Sequence, residues 1–108
     1  TDVSGSSGLI YIQLRPRQPR EKAERVRQQL QAQQFAVPDI ELLEVGPATT
    51  TEVRYFRSSE EEGANRVRDI LQNVGVRNVT TKYISGYEDS PKIKPKQYEI
   101  WFAANAFT

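Results

Sequence analysis

Histidine and cysteine are both missing from this chain, and that decides most of the chemistry it can do. Ser58, Ser59, Ser85 and Ser90 have no imidazole to activate them as nucleophiles. No GxSxG, HExxH or P-loop pattern occurs. A metal site would have to be built from oxygens alone. Glu60, Glu61 and Glu62 are adjacent, so on a helix they point in different directions and suit the positive end of the helix better than a shared ion. Glu88-Asp89 lies in a loop, with nothing to fix either carboxylate as acid or base. The residues point to no enzyme, no cofactor and no metal. What remains is a set of aromatic and polar side chains that strand alternation would bring to one face: Tyr11 and Gln13 from the first strand, Trp101 from the last, and from the third either Tyr55 or Arg54 with Phe56. Such a face suits a sugar ring, a base or a protein partner. The other reading packs these aromatics under a loop or in a dimer.

The elements that must position them are legible from periodicity. Leu9 to Leu14 alternates as a strand with Ile10, Ile12 and Leu14 inward. Pro16 breaks the turn, and Pro19 suits the first position of a helix running to about Gln34. Ala23, Val26 and Leu30 form its apolar stripe, and Phe35 folds back beyond its end. Ile40 to Val45 is a second strand and Glu52 to Arg57 a third. Ser59 and Glu62 have capping-box spacing. Ala64, Val67, Ile70, Leu71 and Val74 then share a helical face, and Gly75 stops the helix. Asn78 to Ile84 is the fourth strand. Ser85 to Gln97, with its prolines and lysines, reads as a mobile loop. Tyr98 to Phe102 is the fifth strand, with Tyr98, Ile100 and Phe102 inward, and residues 103–108 read as a fraying tail.

With 108 residues, 37% hydrophobic and 27% charged, the chain suits one domain over 9–108, preceded by a linker or tag remnant at 1–8. A net charge of +1 gives no general drive toward nucleic acid or an anionic membrane. The charges are nonetheless segregated. Arg15, Arg17, Arg20, Lys22, Arg25 and Arg27 form a basic block that reads as a solvated helix face. No apolar run is long enough for a membrane span.

One internal repeat organises these elements. RVRQQLQ at Arg25 to Gln31 is echoed by RVRDILQ at Arg66 to Gln72, each in a helix between two strands. The expected fold is therefore α+β: a ferredoxin-like βαββαβ two-layer sandwich, built from two split βαβ units interleaved in an antiparallel sheet, with an additional C-terminal strand.

The run YIQLRPRQPREKAERVRQQLQAQQF resembles the opening of SPOR (sporulation-related repeat) domains, through Tyr11, Ile12, Gln13, Leu14, Ala23, Val26, Leu30 and Phe35. The run TTTEVRYFRSSEEEGANRVRDIL resembles the LytR C-terminal-like domain of cell-envelope proteins, through its Thr-rich approach and Ala64, Val67 and Leu71. The resemblance implies a non-catalytic, peptidoglycan-associated module in the cell envelope, periplasmic or extracytoplasmic. Glycan would stack on Tyr11 or Trp101, with Gln13 and Arg54 hydrogen-bonding to it. The alternative is a protein-interaction or sensory module of a larger, cytoplasmic signalling or effector protein, working by strand addition or as a homodimer. The βαββαβ order is shared with the RNA-recognition motif. EVRYFRSS lacks that motif's Gly-aromatic pattern, which ranks RNA third.

Overall fold

The structure is a computed structural model and describes residues 7–47 and 49–107. Six strands form one mixed sheet, and two helices pack with it around a single core. The elements are β1 (Gly8–Leu14), α1 (Arg20–Ala32), β2 (Phe35–Ala36), β3 (Ile40–Leu42), β4 (Thr51–Tyr55), α2 (Glu61–Val74), β5 (Val79–Tyr83) and β6 (Gln97–Trp101). The expected alternation holds on the three longest central strands. Ile10, Ile12, Val53 and Ile100 are fully buried beneath Val26, Leu30, Val67 and Leu71 of the helices. The repeated Val and Leu of the two RVR segments thus occupy equivalent core positions.

The pairing differs from the antiparallel, interleaved sheet read from the sequence. β1 pairs in parallel with β2, with β3 and with β6. β4 pairs in parallel with β5 and antiparallel with β6. Each helix therefore returns the chain to the slot next to the strand it left, as a βαβ crossover does. The strand order is β2-β1-β6-β4-β5, with β3 also on β1. The two halves run antiparallel to each other, and within the sheet they meet through β6, while α1 packs against α2 above it. Burial explains why the last strand takes the centre: Tyr98, Ile100 and Phe102 are at most 1% exposed, which an edge position would not allow. The expected second strand is shorter and split. Phe35 and Ala36 pair first, Val37 to Asp39 interrupts, and pairing ends at Leu42, leaving Val45 exposed.

Helix ends show one success and one correction. Gly75 takes a left-handed φ of 103°. The Val76 amide donates to Leu71 O at 3.0 Å and the Gly75 amide to Gln72 O at 3.1 Å, the double closure of a Schellman stop. Ser59 does not cap α2. Ser58–Glu60 forms a 3₁₀ turn ahead of the helix, with no side-chain cap at either start. Ser59 thus sits within that turn, one residue too early to serve α2.

Inside α2, Gly63 is required by packing. A Cβ there would lie 1.8 Å from the Tyr98 hydroxyl, so the phenol rests on bare Cα. Burial pushes the Tyr98 pKa up to about 12, helped by the nearby Glu60 carboxylate and opposed by Arg66.

Two segments read as loose are tied down. The connection between β5 and β6 is held by Arg57, whose guanidinium donates to the carbonyls of Glu88, Ser90, Ile93 and Lys94. Glu88 accepts from the Ser58 amide at 2.8 Å and from the Tyr83 hydroxyl, and Tyr87 packs edge-on to Phe56. The tail packs too: Ala103 and Ala106 are fully buried, and Phe107 stacks on Phe102 with centroids 4.9 Å apart. Part of the basic block is structural rather than solvated. Arg15 donates to the carbonyls of Gly46 and Pro47, and Arg27 to those of Val37 and Pro38. The assigned linker ends earlier than expected, since Gly8 already opens β1; residues 1–6, like Thr108, lie outside the described residues.

Gly63→Ala should lower stability by about 1–3 kcal/mol through overpacking against Tyr98, although the same change at an exposed helical site gains about 1 kcal/mol. A thermal melt reads the sign directly, and an unchanged or raised Tm would show that the phenol does not rest on Gly63. The Tyr83 hydroxyl and the Ser58 amide hold the Glu88 carboxyl below its usual range. A depressed pKa means that the latch is intact above the ordinary carboxylate range and is lost as pH falls through the lowered value. Amide protection at Ser58 and across 85–96, corrected for the intrinsic exchange rate, should fall on acidification in the native chain. In Glu88→Gln it should no longer depend on pH in that window.

Candidate functional site

Strand alternation places a second set of side chains on the sheet face away from the helices. The register aligns them in two rows. One runs Tyr11, Glu99, Arg54, Lys82 across β1, β6, β4 and β5. The other runs Glu41, Gln13, Trp101, Glu52, Thr80, with β3 contributing the first. All four residues expected at a binding surface, Tyr11, Gln13, Arg54 and Trp101, therefore share this face on three adjacent strands. Tyr11 and Arg54 stand two strands apart, about 10 Å by ordinary strand spacing. Of the two options for the third strand, Arg54 faces outward; Tyr55 and Phe56 are buried, at 7% and 5% exposure.

A charge network covers much of the face. The Arg54 guanidinium lies 4.1 Å from the centroid of the Trp101 ring, a cation–π contact. The same group donates to Glu52 through Nε at 2.8 Å and approaches it through Nη2 at 2.8 Å. The Trp101 indole N–H donates to Glu99 at 2.9 Å. Lys82 stands 3.9 Å from the other Glu52 oxygen. Arg54 thus occupies a face of the indole ring, whereas Tyr11 is half-buried on the strand beyond β6. Gln13 is only 8% exposed. Its Nε2 donates to Glu41 at 2.9 Å, which fixes the amide orientation, and its Oε1 is buried with no hydrogen-bond partner. A buried acceptor in that condition is short of one donor.

The sequence did not reveal Glu41, Glu52 and Glu99 as the partners that hold these groups. The signal available was their strand parity, which matches that of Gln13, Arg54 and Trp101. Glu60, Glu61 and Glu62 converge on no common point: among the described residues, no group of three or more acidic side chains is placed to hold a metal ion. Among those residues no helix is long and apolar enough to cross a membrane. A comparison of the chain with protein-family models, with curated proteins and with solved structures returns no match.

Trp101 is the sole tryptophan, so its emission reports on this face alone. Arg54→Ala should shift that emission while costing roughly 0.5–1 kcal/mol of stability, the scale of an exposed cation–π contact. Emission identical to the native chain would mean that the guanidinium is not held over the ring in solution.

Proposed function

We propose that the chain is a non-catalytic accessory module of the cell envelope that binds peptidoglycan glycan on its open sheet face. The observation that carries this reading is the convergence of Tyr11, Gln13, Arg54 and Trp101 on three adjacent strands, with an unmet acceptor among them. A saccharide offers the complementary groups. Its apolar ring face packs on Tyr11. An acetamido N–H or a hydroxyl supplies the donor that Gln13 Oε1 lacks, once the Gln13 amide turns that occluded oxygen outward. Arg54 has a nitrogen beyond those turned to Glu52 for a hydroxyl or carboxylate oxygen. Trp101 contributes as the platform that orients Arg54, and a sugar stacking on the covered side of the indole would first displace it. The resemblance of both halves to peptidoglycan-associated domains supports the same assignment and an extracytoplasmic location.

A second reading, a protein-interaction or sensory module, draws on the sheet margins. β5 is an edge strand with Tyr83 38% exposed, and Leu42 at the end of β3 is 52% exposed. An edge with free backbone groups can accept a further strand or a second copy of the chain.

Co-sedimentation with purified sacculi at low and at near-physiological salt separates these readings. Retention at both salts, lost in Tyr11→Ala with an unchanged melting temperature, is the outcome expected of a glycan site. Retention at low salt only would reduce the interaction to screened charge. No retention at either salt would overturn the glycan reading and leave the margins as the surface of interest.

A further inference from the structure

A second recess lies on the helix side of the sheet, where α2 begins, and does not depend on the reading of the open face. It encloses about 290 Å³ and is lined by Glu60, Glu62, Gly63, Arg66, Lys96 and Tyr98 among others. Its polar groups are unusually short of partners. Tyr98 is 1% exposed, yet its hydroxyl crosses the bare Cα of Gly63 to reach the recess. There it makes no hydrogen bond among the described residues. Glu60 accepts from the Lys96 amide through Oε2 at 2.6 Å, while its Oε1 is occluded and has no partner. Neither Arg66 nor the Lys96 side chain forms an ion pair among the described residues; Arg66 instead lies 5.7 Å from the Phe35 ring centroid.

We propose that this recess binds a small zwitterion of the α-amino-acid type, its ammonium group at Glu60 and its carboxylate received by the Tyr98 hydroxyl, Arg66 and Lys96. The charge pattern selects this class over simpler ones. A bare anion would face the carboxylates of Glu60 and Glu62 and leave Glu60 Oε1 without a donor. A bare cation would leave two basic side chains and a phenolic donor unanswered. A ligand carrying both charges on neighbouring atoms satisfies all of them, and a modest turn of the Glu60 carboxylate presents Oε1 to it. The volume lies at the low end for ligand sites, which suits a molecule of a few heavy atoms. Tyr98 remains a hydrogen-bond donor throughout the neutral range, as any phenol does there.

Titration of the isotope-labelled chain with alanine, N-acetylalanine and alaninamide, followed through backbone amide resonances, tests this. Alanine should shift the Gly63 and Lys96 amides saturably. Both blocked compounds, each lacking one charge, should bind at least about tenfold more weakly, the scale of a lost charged hydrogen bond. Glu60→Gln and Tyr98→Phe should each weaken alanine binding by a similar factor. Tyr98→Phe removes a hydroxyl with no hydrogen bond among the described residues and should keep the native melting temperature, so its result stands even if Glu60→Gln perturbs the fold. Absent or non-saturating shifts at Gly63 and Lys96 would overturn the proposal. Equal affinity for the blocked compounds, or undiminished affinity in the folded Tyr98→Phe chain, would overturn it as well.

Discussion

The insertion of β6 between β1 and β4 is the constraint on which the rest of this fold depends. Without it the sheet is two separate groups of parallel strands, β1 with β2 and β3 and β4 with β5, each with one helix and each too small to close a core. β6 satisfies the inner edge of both groups and supplies Tyr98 and Ile100, with Phe102 directly after it, to the middle of the core. It also fixes the relation between the halves, since running parallel to one and antiparallel to the other forces them to point in opposite directions. The open face inherits its order from the same strand. Glu99 and Trp101 are the middle members of the two rows, and every cross-sheet relation between β1 and β4 passes through them.

Periodicity was the legible part of the sequence. Ile10, Ile12 and Leu14 had to share a face, as did Ala64, Val67 and Leu71, because alternation and the helical repeat leave no other way to bury them. The repeated RVR segments correctly signalled two equivalent halves. Strand order was not legible, because the same alternation serves a parallel or an antiparallel neighbour and nothing local distinguishes them. Ser59 misled because its spacing to Glu62 fits a cap, while the chain spends Ser58 to Glu60 on a tighter turn. Arg57 read as the end of a strand. That its guanidinium gathers four carbonyls of a distant segment depends on long-range geometry that no window of residues contains.

The two proposed binding surfaces differ in the same respect. The open face was partly predictable in membership: parity puts Tyr11 with Gln13 on one strand and gives Trp101 its side of another, but it left the third strand open between Tyr55 and Arg54 with Phe56, which burial of Tyr55 and Phe56 decides. The state of the face was not predictable: the carboxylates that engage Arg54, Trp101 and Gln13 come from positions that read as ordinary surface charge. The recess at the start of α2 left no trace in the pattern, because Tyr98 scores as core and Glu60 as a dipole-complementing residue. Only the close approach of Tyr98 to Gly63 brings the two together. Unmet polar groups, rather than residue types, mark both places.

The central position of β6 also has a consequence for biosynthesis. Leu9 pairs with Gln97, so the first strand waits for most of the chain to be translated before it meets its partner, a delay on the order of ten seconds. During that interval β1 and β4 each present an unpaired inner edge beside a half-built apolar layer, the condition under which strands find the wrong neighbour. The yield of folded chain should therefore depend more on how it is synthesised than the modest size of the finished domain would suggest.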